Sequence, residues 1–188
     1  EYAPSAKILI VLRNPIQRVV SLYEMYSRLG KMQMSPDEAF TESSYVVKQC
    51  LLHEKILLYT NSFPMEQVSI MVFDDFLKDQ DHAFHDLCQF IGVQKTPDMS
   101  LGIRNKGGVP KSPSINFLSN RSFVRVAKKI LPSSKHNQID RFIKNIFFKK
   151  INLKKHQEQL LKEVFYEDVR KIGDLIERNL CEEWQIHR

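Results

Sequence analysis

The sequence predicts an α/β fold, a parallel sheet flanked by helices and followed by a helical C-terminal half. Three observations carry this. Two apolar runs, KILIVL at Lys7–Leu12 and VSIMVF at Val68–Phe73, lack the alternation of a strand with one wet face. Continuous apolar strands belong to parallel sheets covered on both sides. Helical segments stand between and after these runs, and such an order implies right-handed crossovers. Beyond a Gly/Pro-rich stretch at Thr96–Pro113, the remaining periodicity is helical.

Taken in order, the first run is broken by Arg13-Asn14-Pro15. Asn14 is a good N-cap and Pro15 a good first helical residue, so a helix starts here. It carries Val19, Val20, Leu22, Tyr23 and Tyr26 and ends near Gly30, a natural C′ residue. Ser35-Pro36-Asp37-Glu38 starts a second helix, and a third is expected over Ser44–Thr60. After the second run comes Asp74-Asp75, then a helix over Asp81–Ile91 closed by Gly92. Helices are expected over Ile115–Leu131, Gln138–Phe148 and Lys155–Leu180. Two strands are too few for a stable parallel sheet, so further strands are expected from upstream of Glu1 or from a partner chain.

The 188 residues fit one domain with a real core. A hydrophobic content of 43% and a mean hydropathy of -0.33 describe a globular protein. No apolar run approaches the ~18 residues of a membrane-spanning helix. The cysteines, Cys50, Cys88 and Cys181, are odd in number, scattered and form no Cys-x-x-Cys, which suits a reducing compartment. The net charge of +6 is uneven: −4 over Glu1–Ile103, +12 over Arg104–Lys171 and −2 beyond. A basic second half suits an anionic ligand or a solvated lysine face.

The segment with chemical content is KILIVLRNPIQRVVSLY, Lys7–Tyr23. Ligands of open α/β sheets sit beyond the C-terminal ends of strands. Arg13 is the first residue past such an end, and its guanidinium can hold a phosphate through two parallel hydrogen bonds. Ser21 stands about two turns into the helix and can offer a hydroxyl to the same anion. Arg18, three residues earlier, shares a face with Ser21 and serves either the phosphate or an acid such as Glu24 or Asp75.

Apolar strand, Arg-Asn-Pro, then Arg and Ser at these spacings resembles the 3′-phosphate-binding motif of sulfotransferases that use 3′-phosphoadenosine-5′-phosphosulfate (PAPS). Three further stretches are similar to that family: Val68–Val93, Arg104–Ser112 (RNKGGVPKS) and Phe165–Trp184. The resemblance implies a P-loop-NTPase-like parallel sheet and sulfuryl transfer from PAPS to a hydroxyl or amine. Arg13 and Ser21 would hold the 3′-phosphate. Lys106 and Gly107, in the loop that closes over the cofactor, would be further contacts, assisted by Arg104 and Lys111. Acceptors of the family are small molecules, carbohydrates, lipids or carrier-bound chains. No metal, no redox cofactor and no nucleic acid partner are implied. The loop and last helix look most like bacterial members, which implies a cytoplasmic enzyme, with the Golgi lumen as the alternative compartment.

The family's Gly-rich 5′-phosphosulfate loop, its catalytic lysine and its general base do not occur here and are expected upstream of residue 1. Gly107–Ser112 lacks P-loop spacing and follows no strand, which also argues against a nucleotide kinase. The expected organisation is one domain, incomplete at its N-terminus: 1–95 with the sheet and the 3′-phosphate motif, 96–113 the closing loop, 114–188 the helical part. Internal acid–base candidates are weak. His53 and Glu54 fit a packed or solvated role, His82 and His85 a surface role, and Asp74-Asp75 a strand-end turn. The rival reading is a non-catalytic basic module for nucleic acid or a polyanionic glycan, working through Lys128, Lys129, Lys149 and Lys150. In the first reading these lysines form a solvated face.

Overall fold

The computed structural model describes residues 4–94, 109–110 and 148–188, with 109–110 and 148–149 described as backbone. Strand β1 is Ile8–Leu12 and β2 is Val68–Val72. They pair parallel and in full register, from Ile8 opposite Val68 to Leu12 opposite Val72. Between them lie α1 (Pro15–Arg28), α2 (Pro36–Ala39), α3 (Tyr45–Lys48), α4 (His53–Thr60) and a 3₁₀ turn, Met65–Gln67. After β2 come α5 (Phe73–Lys78) and α6 (Gln80–Ile91), and after the second described segment α7 (Lys155–Leu175) and α8 (Leu180–Glu183). The parallel strand pair and its helices form an α/β arrangement, and the described chain from Lys155 onward is mainly helical.

Local chemistry explains the boundaries. The Asn14 Oδ1 atom accepts from the amides of Ile16 and Gln17 at 3.0 and 3.4 Å, capping α1, and Pro15 follows as its first residue. Gly30 and Gly92 take left-handed φ values of +67° and +78° after α1 and α6, a backbone that side chains resist. Ser35 and Glu38 form a reciprocal capping box on α2.

One core binds these parts. Leu12, Val19 and Tyr23 from β1 and α1 meet Phe40, Val46, Val47 and Ile56, and all pack with Leu161, Phe165, Val169 and Ile172 of α7 and with Leu180, Trp184 and Ile186 beyond it. The α7 positions recur at helical spacing, so one stripe of a long helix seals the sheet end. The open side is β1 itself, where Leu9 and Val11 are 37% and 48% exposed.

Four expectations are corrected. The single helix over Ser44–Thr60 is two, because the Asp168 carboxylate accepts from the amides of Leu52 and His53 at 2.9 and 3.0 Å. A distant side chain thereby starts α4 where its own N-cap, Leu52, offers no acceptor. Asp74 and Asp75 lie in the first turn of α5, not in a plain turn. The last helix stops at Leu175: Arg178 N–H bonds back to the Gly173 carbonyl at 2.9 Å, and Glu177 adopts φ 57°. A Cβ on Gly173 would stand 2.5 Å from the Arg178 carbonyl oxygen, so this corner needs glycine. Finally, Phe148–Lys149 is not a helix end but a strand, β4, antiparallel to β3 (Val109–Pro110) inside the stretch expected to be irregular. The helices expected over 115–131 and 138–147 lie outside the described residues.

Replacing Asp168 tests the tertiary cap. Asp168→Ala strands two part-buried amides and is expected to lower stability by about 1–2 kcal/mol, read as a lower urea midpoint at unchanged m-value. A loss under about 0.5 kcal/mol would show that water serves those amides equally well.

Candidate anion-binding site

At the C-terminal end of β1 the chain opens into a groove of about 510 Å³. One wall is a stripe of α1: Ile16, Gln17, Val20, Ser21 and Glu24, with Arg13 at its root. The other is the segment Lys150–Leu153 with Glu158. The walls are joined, since the Ile151 amide donates to Glu24 Oε1 at 3.2 Å. The backbone of β3 also lies against α1.

Arg13 enters this groove as a cation with neutral neighbours. Its Nε and Nη2 donate to Gln17 Oε1 at 3.4 and 3.3 Å, and its guanidinium stands 5.6 Å from the Phe73 ring centroid. The second contact follows from register: Leu12 pairs with Val72, so the next residues, Arg13 and Phe73, come side by side. Among the described residues no carboxylate lies within ion-pair distance of Arg13. A face-on ring holds a guanidinium without neutralising it. Ser21 is exposed, and its hydroxyl has no hydrogen bond among the described residues, unlike Ser27, which bonds back to the Tyr23 carbonyl at 2.8 Å. The groove's two carboxylates are engaged: Glu158 with Lys162 at 3.2 Å, Glu24 with the Ile151 amide.

The structure thus brings Arg13 and Ser21 to one groove. It separates Arg18 from them. Arg18 lies one step around α1 and lines a different, apolar groove with Leu52, Lys55, Ile56 and the free edge of β1. Neither acid suggested for it is a partner, since Asp75 pairs with Arg178 and Lys78 and Glu24 faces Ile151. Lys106, Gly107, Arg104 and Lys111, and the lysines 128 and 129, lie outside the described residues. The side chain of Lys149 does too. Lys150, expected on a solvated face, is exposed and stands on the groove wall.

The acids and histidines serve structure. Asp74 accepts from the Trp184 indole N–H at 2.9 Å, and Asp75 is bridged to Arg178, which also holds Glu183. His82 and His85 share Asp86 at 3.1 and 3.7 Å on exposed α6, and His53 stands 4.0 Å from Glu54. Among the described residues no cluster of His, Cys, Asp and Glu has the form of a metal site. Gln17 and Phe73 were not anticipated. Gln17 was legible, four residues after Arg13 on one helix face; Phe73 required the strand register.

Comparison with known proteins now decides the class. Residues 2–173 match the sulfotransferase domain. The chain belongs to the sulfotransferase domain family. Its fold is also that of a solved structure, the sulfotransferase from Alicyclobacillus acidocaldarius, with a TM-score of 0.62, 22% identity and coverage of 97% of this chain. This sulfotransferase-domain chain spans 58% of that neighbour's length. No curated protein matches it. Within the described residues no helix is long and apolar enough to cross a membrane.

The Asp75–Arg178 bridge carries a pH signature. The Arg178 hydrogen bond, reinforced by the charges of Arg178 and Lys78, holds the Asp75 carboxyl below its usual value of 3.8 against the opposing effect of burial. A depressed carboxyl contributes stability above its unfolded pKa and loses it as pH falls through the lower native one. Asp75→Asn is therefore expected to melt lower than the parent at pH 7. The gap should narrow in thermal melts as pH falls below the usual value of 3.8, and a gap independent of pH would contradict the bridge.

Proposed function

We propose that this sulfotransferase-domain chain holds PAPS by its 3′-phosphate and supports sulfuryl transfer from it to a hydroxyl or amine acceptor, with 3′,5′-ADP leaving. The observation that supports this best is the uncompensated Arg13 guanidinium, held toward a groove that also contains the unpartnered Ser21 hydroxyl. A terminal phosphate carries a charge near −1.5 to −2 at pH 7. A planar, forked cation with a nearby hydroxyl matches it better than it matches a neutral ligand.

The chain's own residues bind and orient. Arg13 and Ser21 take the end of the donor that does not react, so they fix its position while transfer occurs elsewhere on the molecule. Positioning is itself a large part of catalysis in group transfer. Gln17 and Phe73 hold the Arg13 side chain outstretched, reducing the entropy it loses on binding. Lys106 and Gly107, just before β3 in sequence, are proposed as further cofactor contacts: glycine for close backbone approach, lysine for charge. We place the strand that completes the sheet on the open edge of β1, supplied by further chain or a partner. Acceptors are small-molecule, carbohydrate, lipid or carrier-bound, and the working compartment is the cytoplasm.

Calorimetry with the full chain tests the assignment. 3′,5′-ADP is expected to bind at least roughly ten- to a hundred-fold more tightly than 5′-AMP, from one or more charged hydrogen bonds. Arg13→Ala should erase most of that preference and raise the Michaelis constant for PAPS more than it lowers turnover. Equal affinities in the parent would remove Arg13 from the site. A second substitution probes the neutral cradle. Gln17→Glu sets a carboxylate beside the guanidinium and is expected to weaken 3′,5′-ADP at least about five-fold while leaving the melting temperature within a few degrees of the parent. Unchanged affinity would mean that Arg13 leaves Gln17 before it binds.

A further inference from the structure

Lys150 faces the same groove as Arg13 and Ser21, from the opposite wall. Its position is set from both sides. Immediately before it, Phe148–Lys149 pairs with Val109–Pro110, a pair lying against α1. Immediately after it, the Ile151 amide is bonded to Glu24 of α1 at 3.2 Å. A residue between two such tethers cannot swing its backbone away from α1 without breaking one of them.

Its charge is also unspent. Among the described residues no carboxylate lies within ion-pair distance of Lys150. The contrast is with Lys154 nearby, which grips Asp37 at 2.7 Å, and with Lys162, which holds Glu158 at 3.2 Å. The lysines of this stretch that brace the fold have acidic partners, and the one on the groove has none. Two cations left uncompensated on facing walls repel each other, and an anion with two charges between them removes that repulsion. A single neutral or singly charged ligand does so poorly.

We propose that Lys150 is a second cationic ligand of the 3′-phosphate, closing on it from the wall opposite Arg13. This rests on the reading of the groove given above and deepens it. Arg13 supplies a directional fork from the strand end; Lys150 supplies a compact charge on a flexible stem. The ammonium also makes the site selective for the dianion over a singly charged phosphate ester.

Four proteins measured side by side test this: the full chain, Lys150→Gln, Lys150→Arg and Arg13→Ala, each titrated with 3′,5′-ADP and with 5′-AMP. Lys150→Gln is expected to weaken 3′,5′-ADP about three- to ten-fold and to leave 5′-AMP unchanged. Lys150→Arg should restore most of the loss. Because Lys150 is exposed, its variants should melt with the parent. If Lys150→Gln binds 3′,5′-ADP as the parent does while Arg13→Ala has lost its preference, the proposal is overturned and the groove assignment stands. Equal weakening of both nucleotides also overturns it, since the lysine then acts away from the 3′-phosphate. If Arg13→Ala too keeps the full preference, the groove assignment itself fails.

Discussion

Asn14 uses both ends of its amide, and the groove depends on that. Its oxygen caps α1 through the amides of Ile16 and Gln17, while its nitrogen donates to the Trp184 carbonyl at 3.4 Å. Asn14 is buried at the sheet end, with Leu12 and Pro15 buried on either side of the Arg13-Asn14 pair. One side chain therefore fixes where the strand stops, where the helix starts and how the C-terminal segment lies over the junction. Trp184 returns the support, its indole N–H held by Asp74 at the end of β2. The ends of both strands are thus tied to the same C-terminal corner. Arg13 is left as the residue whose side chain has no structural duty in that knot.

The charges are distributed to match. Arg178 is consumed by Asp75 and Glu183 in a part-buried bridge, and Arg170 by Glu167 and Asp174 on the surface, where such pairs add little stability but settle geometry. Hydrogen bonds to the Asp75 and Glu183 carboxylates push the Arg178 pKa up against the opposing effect of burial, so that charge is permanently committed. Arg13 differs in kind: an amide oxygen and an aromatic face orient it, and neither cancels its field. An unpaired cation at a surface costs little while water solvates it, and it gains most from a ligand carrying concentrated negative charge.

Much of this fold is legible in local signals. The apolar runs marked both strands, and Asn14-Pro15, Gly30 and Gly92 marked helix ends because each acts within its own turn. What escaped prediction acts over distance. Asp168 starts α4 from more than a hundred residues away, and Gly173 lets the chain turn back after the last long helix because the Arg178 carbonyl folds against it. The same distinction runs through the groove. Arg13 and Ser21 were visible from spacing along one strand–helix unit. Arg18 was left between two roles because three residues on a helix mean adjacency, not a shared groove: Arg18 and Ser21 are neighbours on α1 but line different grooves. Lys150 was read as one of several solvated lysines, since only the tertiary tether at Glu24 brings it to α1.

The most direct test is a crystal structure of the full chain with 3′,5′-ADP. The 3′-phosphate is expected at the C-terminal end of β1, with its oxygens within about 3.2 Å of the Arg13 guanidinium and the Ser21 hydroxyl, and with Gln17 and Phe73 still flanking Arg13. A 3′-phosphate bound instead in the Arg18–Lys55 groove, or standing clear of Arg13 in solvent, would contradict the central claim that Arg13 is kept unpaired to receive it.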